Sequence, residues 1–425
     1  MRIGMLSWEY PPRIVGGIAR HVEELSQALV RKGHEVHVFT ADHPDTAEHE
    51  VVGGVHLHRA RGGEVAAPTR DFVEWVLHLN FGLARMALQT QRIAPFDVFH
   101  AHDWLVVQAA NLLKKSVDVP LIGTVHATEA GRNKGIHHAM SRYIAQQEWY
   151  LTFESYQVVV CSSTMFHEVQ GQFGVPQDKI HVIPNGIDPT KFHFDFPERM
   201  AFRRRFALDF EKIVLFVGRM VVEKGGQFLL EAASHIIAQY PDAKFVIVGK
   251  GGFVDELKAR AAALRLGHKC LFTGYVDDDT LVRLYRVADV SVAPSLYEPF
   301  GIVALEGMAA GVPVVASDAG GLWEIIEHDV TGVTTYAGDV QSLAWGILQV
   351  LSRPDHAQWL VQNAFERVER VFNWDRIAEQ TEGVYRLVAG DQHQVPAERE
   401  ASVPASQTPA SEGNHKPQIF PAPSR

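Results

Sequence analysis

The chain has 425 residues, of which 46% are hydrophobic and 21% charged, a composition typical of a globular protein. Its length exceeds what one ordinary hydrophobic core supports and predicts two domains of common size. The formal net charge of −10 argues against a nucleic-acid-binding protein, which would carry a basic face.

The number of cysteines and the length of the apolar segments indicate the cellular compartment. Cys161 and Cys270 are the two cysteines of the sequence, too few for a disulfide framework. The stretch MRIGMLSWEY lacks a long apolar segment with a small-residue cleavage site. No apolar run approaches the roughly 18 residues of a membrane-spanning helix. We therefore expect a cytoplasmic protein without an integral membrane segment.

The first part of the chain alternates strand and helix. A short apolar run from Ile3 to Leu6 precedes the turn-rich loop WEYPPRIVGG and the stretch IARHVEELSQALVRKG, whose apolar residues recur at helical spacing. Gly33 occupies the position of a C-cap glycine. Further strands are predicted at HEVHVFTA, FDVFHAHD, VPLIGTVHAT, SYQVVVCSS and KIHVIPNG. This order is typical of crossover units and a parallel sheet.

A second set of strands follows a break rich in aromatic and charged residues. These strands are predicted at KIVLFVGRM, KFVIVGKGG, CLFTGYV, VSVAPS and VPVVASD. Two such sets predict an α/β protein with two doubly wound, Rossmann-like domains facing a central cleft, where ligands bind beyond the carboxyl ends of the strands. We place the domains at 1–195 and 196–371. A helix at 372–390 is expected to pack back on the first domain, and the Pro- and Ser-rich tail 391–425 to be disordered.

Two cations follow the first strand of the second set. Arg219 and Lys224 lie in GRMVVEKGG, a turn that leads into a helix through Gly225 and Gly226. Arginine offers a planar fork and lysine a point charge, a combination suited to a diphosphate. Solvated loop cations are the alternative for such residues, but their position at a strand end favours binding.

The stretch EPFGIVALEGMAAG predicts the start of a helix with a carboxylate on either side of it. Backbone N–H groups of Phe300, Gly301 and Ile302 would be unpaired at that start and form an anion site. Glu298 would lie just outside the helix, and Glu306 about one and a half turns inside it, partly buried. Sugar hydroxyls are the natural partners of carboxylates beside a phosphate site. Glu298 could alternatively serve only to complement the helix dipole.

The chain resembles the retaining glycosyltransferases of family 4, which have the GT-B fold, and within them the glycogen and starch synthases. The stretches that carry the resemblance are VGGIARHV, HAHDW, GTVHATE, IPNGID, GRMVVEKGG, FTGYVDDD and EPFGIVALEGMAAGVPVVASDAGG. They extend from residue 1 to about residue 385 and leave only the tail unmatched. The resemblance implies an acceptor-side N-terminal domain and a C-terminal domain that binds a nucleotide sugar.

The resemblance also implies roles for individual residues. Catalytic roles would fall to His126, Glu298, Arg219 and Lys224, with His126 under the reacting centre and the two cations on the donor diphosphate. Glu306 would bind the ribose of the nucleotide. The remaining donor-binding residues would be Gly16, Gly17, Asp103, Tyr275, Val276, Phe300, Gly301 and Ile302.

The implied reaction is transfer of a glucosyl group from ADP-glucose or UDP-glucose, with retention, to the non-reducing end of an α-1,4-glucan. It requires no cofactor and no metal, and residues 277–279 (DDD) make a poor metal motif because they follow a strand in a turn-like stretch. His100 and His102 share one strand face, but no third ligand appears at motif spacing.

One departure from the family leaves the donor open. Bacterial glycogen synthases have a lysine before the first Gly-Gly, where this chain has Ile14 and Val15. Arg13 or Arg20 are alternatives for the missing charge. Alternative functions are transfer to a small sugar or a lipid, a nucleotide-sugar epimerase of the same fold, and a non-catalytic carbohydrate-binding protein. Glu298 favours transfer over epimerisation, and the retained diphosphate cations favour an enzyme over a binding protein.

Overall fold

The strands form two separate sheets in the computed structural model, which describes residues 1–60 and 72–391. The first sheet contains β1 (Arg2–Leu6), β2 (Glu35–Ala41), β3 (His49–Val52), β4 (Val55–Ala60), β5 (Val98–His102), β6 (Leu121–Val125), β7 (Gln157–Val160) and β8 (Ile180–Val182). The second contains β9 (Lys212–Val217), β10 (Ala243–Val248), β11 (Cys270–Gly274), β12 (Val290–Ala293), β13 (Val314–Ser317) and β14 (Val333–Thr335).

Helices connect the strands of each sheet. The first domain contains α1 (Gly17–Arg31), α2 (Phe72–Ile93), α3 (Val107–Ser116), α4 (Glu129–Asn133), α5 (Ala139–Glu154) and α6 (Ser163–Phe173). They are followed by α7 (Arg199–Arg203), α8 (Gly226–Gln239), α9 (Val254–Ala263), α10 (Asp278–Val287), α11 (Ile302–Ala309), α12 (Leu322–Ile325), α13 (Val340–Ser352), α14 (Pro354–Val371) and α15 (Trp374–Asp391). Among the helices of the described ranges, none combines the length and apolar character needed to cross a bilayer.

The strand order of each sheet determines where a ligand can bind. The first sheet has the order β3-β4-β2-β1-β5-β6-β7-β8, with β3 antiparallel to β4 and the other pairs parallel. The second has the order β11-β10-β9-β12-β13-β14 and is parallel throughout. Each order reverses once, between β1 and β5 and between β9 and β12. Loops at such a reversal diverge and leave a crevice beyond the carboxyl ends of the strands.

The predicted pair of doubly wound α/β domains is therefore confirmed. Gly33 follows the end of α1 with a φ of +88°, as its C-cap position predicts. The hairpin of β3 and β4 and the edge strand β14 were not predicted. Strands β3 and β14 are short and lie at the edges of their sheets, and three of the four β3 residues are exposed, so that β3 shows no strong hydrophobic pattern.

The last helix belongs to the first domain in space. After α14 the chain crosses back, and Ile187 N donates to Phe372 O at 2.8 Å where the two crossing segments meet. Helix α15 then packs against α1, with Trp374, Ile377 and Tyr385 in the hydrophobic cluster that includes β1 and β2. Apart from Asp391, the tail 391–425 lies outside the described residues.

Ile377→Ala tests how far α15 supports the first domain. Ile377 is fully buried between α15 and the first sheet, so the truncation is expected to lower the free energy of unfolding by about 2–5 kcal/mol. Glu379→Ala on the exposed side of the same helix is the control, with an expected change within about 0.5 kcal/mol. Urea unfolding followed by circular dichroism measures both, and equal stability of the two variants would contradict the packing role.

Candidate functional site

The candidate site lies between the two sheets, at their switch points. Loops after β1, β5 and β6 approach from the first domain, and loops after β9 and β12 from the second. The two sides touch, because a Cβ added to Gly17 would lie 3.1 Å from Cδ1 of Ile302. A cleft of about 570 Å³ also lies between the domains, lined by residues 132–134 of the first and by residues 221–223 of the second.

Lys224 and Glu298, two of the predicted catalytic residues, form an ion pair. Lys224 Nζ donates to Glu298 Oε2 at 2.6 Å, and Glu298 is only 7% exposed. Gly225 brings their loops together, since it has a φ of +75° and a Cβ there would lie 1.8 Å from the carbonyl oxygen of Pro294. Only glycine permits this approach, so the turns after β9 and β12 pack directly against each other.

The backbone around Glu298 is held by neighbouring loops. Ser295 Oγ donates to Glu298 Oε2 at 3.2 Å, and Gly321 N donates to the carbonyl oxygen of Glu298 at 2.8 Å. A Cβ at Gly320, whose φ is +56°, would lie 1.9 Å from that carbonyl oxygen. The loop after β13 therefore fixes the position of Glu298 from behind, and both glycines are required for its close approach.

Arg219 lies nearby but outside this pair. Its guanidinium contacts Glu223 at 3.5 Å and is 49% exposed, so it stays accessible from the cleft. Among the described residues, the ion pair of Arg219 is with Glu223, whereas Glu298 pairs with Lys224. The two cations of the predicted diphosphate site thus follow the same strand, with Lys224 partly buried and paired with a buried carboxylate and Arg219 facing solvent.

The start of α11 carries unpaired donors. The helix begins at Ile302 after Gly301, which has a φ of +115° and supplies no side-chain cap. Within residues 1–60 and 72–391, the backbone N–H groups of Phe300, Gly301 and Ile302 have no recorded protein acceptor. A helix start in this state presents positive potential to an anion.

Glu306 is buried in α11 and already has protein partners. It accepts from Tyr285 Oη at 2.9 Å and from Arg20 of the first domain at 3.2 Å. Burial raises the pKa of Glu306, while the charge of Arg20 lowers it. Arg20 also donates to Asp278 at 2.6 Å. Arg20 therefore bridges the domains and is engaged by carboxylates, not turned toward a diphosphate.

The loop before α1 contains a contact that the sequence did not reveal. Glu9, which is 1% exposed, accepts from the backbone N–H groups of Val15 at 2.6 Å and Gly16 at 3.0 Å. Burial raises the pKa of this carboxyl group, and the two backbone hydrogen bonds lower it. Its carboxylate holds Gly16 and Gly17 against the second domain. Arg13 binds the carbonyl oxygen of Asp42 instead of facing the cleft.

His126 and Asp103 come together through the backbone. Asp103 Oδ1 accepts from the N–H of His126 at 2.8 Å. Asp103 has a φ of +64° and a ψ of 172°, a conformation that non-glycine residues rarely adopt and that occurs preferentially at functional sites. Burial raises the pKa of Asp103 to about 6. Burial likewise lowers the pKa of His126 to about 3, so its imidazole is neutral at ordinary pH.

Tyr275 and Val276 are the predicted residues that lie apart from these contacts. Tyr275 follows β11 and is 62% exposed, with Lys250 Nζ 5.1 Å from the centre of its ring. Val276 is partly buried against the large hydrophobic cluster that contains Phe300. Of the acidic run that follows, Asp277 caps α10 and Asp279 pairs with Arg283.

Family models match both halves of the chain. The model "Glycosyltransferase Family 4" matches residues 15–191, and the model "Glycosyl transferases group 1" matches residues 199–367. An uncharacterized glycosyltransferase of Methanocaldococcus jannaschii is 41% identical over 390 residues, which cover 91% of this chain and 98% of that relative. The chain belongs to the family 4 glycosyltransferases.

Two further comparisons agree with this family. The glycogen synthase of Mycobacterium tuberculosis is 37% identical over 400 residues, covering 91% of this chain and 94% of that enzyme. The structure of sucrose-phosphate synthase from Thermosynechococcus elongatus superimposes with a TM-score of 0.78 at 25% identity, covering 92% of this chain and 99% of that one. The predicted GT-B fold of this glycosyltransferase is thus confirmed, as is its likeness to the glycogen and starch synthases.

The glycosyltransferase has two histidines beside His126 that were not assigned to the site. His102 Nδ1 lies 3.2 Å from His126 Nε2, and the rings of His21 and His126 are 4.7 Å apart at their centres. His102 was noted in the sequence only as a strand neighbour of His100. His21 could not be connected with His102 or His126 from the sequence, because it lies on α1, more than about 80 residues before both of them.

A tyrosine joins the loop after β12 to the first domain. Tyr297, next to Glu298, donates to Glu168 Oε1 at 3.0 Å and accepts from Thr128 N at 3.4 Å. Thr128 is the N-cap of α4, with its Oγ1 accepting from Gly131 N at 2.9 Å. The loop that places Glu298 is therefore fastened to the start of the helix that borders the cleft.

The segment TEAGRNKGIHH, which follows β6, includes α4 and contacts a buried carboxylate. Both oxygens of Glu148, on α5, accept from Glu129 N, at 2.8 and 3.0 Å, and Arg132 lies 3.3 Å from Glu148 Oε1. Burial raises the pKa of Glu148 to about 8, although the Glu129 hydrogen bond and the charge of Arg132 lower it. This contact ties α4 to α5.

Glu148→Gln tests this contact through pH. Because the folded pKa of about 8 exceeds the ordinary value of 4.5, Glu148 contributes stability below about pH 4.5 and loses it as the pH rises through 8. Glutamine does not titrate. Between these limits the free energy of unfolding of the variant should therefore rise relative to that of the wild type, by up to about 1.4 kcal/mol per pH unit. Urea unfolding at several pH values measures the difference. If the free energies of unfolding of wild type and variant changed in parallel with pH, the raised pKa of Glu148 would be contradicted. Glu256→Gln, at an exposed position, is the control.

Proposed function

We propose that this glycosyltransferase transfers a hexosyl group, most simply glucose, from a nucleotide sugar to a carbohydrate acceptor with retention at the anomeric carbon. The observation that carries the proposal is the Lys224–Glu298 pair at the β9/β12 switch point, 2.6 Å apart and next to the uncapped start of α11. A lysine, a carboxylate and free backbone N–H groups at one point match the phosphates and hydroxyls of a sugar diphosphate.

In the proposed complex the diphosphate lies over the start of α11. Lys224 and Arg219 bind its oxygens and neutralise the charge that develops as it leaves. Glu298 accepts from hydroxyls of the donor sugar once Lys224 turns toward the phosphate. Glu306 accepts from the ribose hydroxyls, which requires Arg20 or Tyr285 to give up one carboxylate oxygen.

The acceptor enters from the first domain, where His126 follows β6 and Asp103 follows β5. Attack occurs on the same face from which the diphosphate leaves, and a diphosphate oxygen takes the proton of the acceptor hydroxyl. The new glycosidic bond forms as the sugar–phosphate bond breaks, so configuration is retained. The charge needed at the leaving group comes from the two cations and the helix start, and no metal or cofactor enters this scheme.

The proposed donor is ADP-glucose or UDP-glucose, and the proposed acceptor the non-reducing end of an α-1,4-glucan. Similarity over most of the chain to a glycogen synthase supports the glucan. Likeness to sucrose-phosphate synthase supports a small sugar as the second candidate acceptor. The lysine that precedes the first Gly-Gly in bacterial glycogen synthases is absent, and Arg20 is held by Glu306 and Asp278, so a donor screen must include both nucleotides.

Purified protein is incubated with radiolabelled ADP-glucose or UDP-glucose and with glycogen, maltose or sugar phosphates as acceptors. We expect transfer with one donor clearly preferred. Lys224→Ala and Glu298→Gln should each lower kcat by about 10²–10³-fold, since each removes one polar contact to the reacting donor. Lys258→Ala and Glu256→Gln, both exposed on α9, are matched controls and should retain full activity.

Two results would count against the proposal. Incorporation into sugar phosphates but not into glycogen would replace the glucan by a small acceptor. Full activity of folded Lys224→Ala and Glu298→Gln proteins would remove the site assignment altogether.

A further inference from the structure

Three imidazoles, from the buried His21 and His102 and the partly buried His126, form a histidine cluster at the carboxyl edge of the first sheet. His102 Nδ1 and His126 Nε2 are 3.2 Å apart, and the two rings are within 25° of parallel. His21 stacks edge-on against His126 and binds Asn185 Oδ1 through Nδ1 at 2.7 Å. The sequence assigned a role only to His126.

Protons within the histidine cluster can be counted. Burial lowers the pKa of His21, His102 and His126, so each ring is neutral and carries one proton. One proton must lie between His102 Nδ1 and His126 Nε2 to make their hydrogen bond. It belongs either to His102, which then donates, or to His126.

The surroundings of His102 decide between these arrangements. His102 Nε2 is buried and has no hydrogen-bond partner within the described part of the chain. If His126 donated, the proton of His102 would have to lie on this Nε2 and form a buried N–H without an acceptor. Orphaned buried N–H groups are rarer and less favourable than unpaired acceptors, so the proton lies on Nδ1 of His102.

The same argument about unpaired buried N–H groups applies to His21. Its Nδ1 donates to Asn185, which leaves Nε2 as a bare acceptor, and this Nε2 is likewise buried without a partner. Both orphaned nitrogens of the histidine cluster are therefore acceptors, and no buried N–H is left unpaired. His100, the strand neighbour of His102, is satisfied separately by Tyr385 and Thr124.

We propose that His102 is a positioning residue that donates from Nδ1 to His126 Nε2 and thereby keeps the proton of His126 on Nδ1. Within the described part of the chain His126 Nδ1 has no protein partner, and His126, unlike His21 and His102, is partly exposed. His126 follows β6 at the cleft, so this N–H is a donor for an oxygen atom of the bound sugar. The Asp103 carboxylate fixes the backbone of His126, and His102 fixes its ring. This inference rests on the proposed function.

The tautomer is measured directly, without any substrate. Full-length protein with ¹⁵N-labelled histidine is studied by long-range ¹H–¹⁵N correlation at neutral pH, and His126→Gln and His102→Asn identify the signals. We expect Nδ1-protonated tautomers for both His126 and His102. An Nε2-protonated His126 would overturn the proposal, even if the enzyme transfers glucose as proposed.

Two variants test the consequence for activity. Asparagine at position 102 places an amide N–H near the Nδ1 position, whereas leucine removes the donor. His102→Leu should lower kcat by about 10²-fold with little change in KM for the donor, as expected for loss of an oriented hydrogen-bond donor, and His102→Asn should recover most of the loss. His235→Gln, exposed on α8, is the control.

The outcomes separate this inference from the proposed function. Equal losses in folded His102→Leu and His102→Asn proteins, or full activity of His102→Leu, would overturn the role of His102. An inactive wild type with every donor would instead remove the proposed function, while the spectra of the wild type would still establish or refute the tautomer.

Discussion

The arrangement of the cleft depends on the ion pair between Lys224 and Glu298. The pair lies 2.6 Å apart in a largely buried position, where an isolated charge would be costly. Each charge therefore stabilises the other until a ligand enters with anionic and hydroxyl groups of its own. The pair can form only because Gly225 and Gly320 let three loops approach within backbone contact, so the electrostatics rest on a steric constraint.

A second constraint is that neither domain completes the site alone. Arg20 crosses from the first domain to Glu306, and Tyr297 crosses back to Glu168. Ser162 Oγ also donates to the carbonyl oxygen of Pro299 at 2.7 Å, beside the start of α11. These contacts place the start of α11, Glu298 and His126 in fixed relation. The contacts that hold the domains together thus also orient the groups that line the cleft.

On the first-domain side of the cleft, burial favours the neutral forms of the polar groups. Burial keeps the imidazoles of the histidine cluster uncharged, and Asp103 and Glu148 have raised pKa values for the same reason. The second domain contributes Lys224, Arg219 and the free N–H groups at the start of α11. The two walls of the cleft therefore differ in chemistry, with neutral imidazoles on one side and these positively polarised groups on the other.

The amino-acid sequence alone determined the two doubly wound domains, because buried parallel strands and amphipathic helices leave strong periodic patterns. It also determined local features that lie within one stretch of sequence, such as the position of Glu298 just before the start of α11. Only the tertiary structure decided which groups meet. The partners Arg20–Glu306, Tyr297–Glu168 and His102–His126 come from separate elements, and their contact depends on how loops pack at the switch points. No short-range pattern encodes such contacts, because the distances arise from the relative placement of strands far apart in sequence.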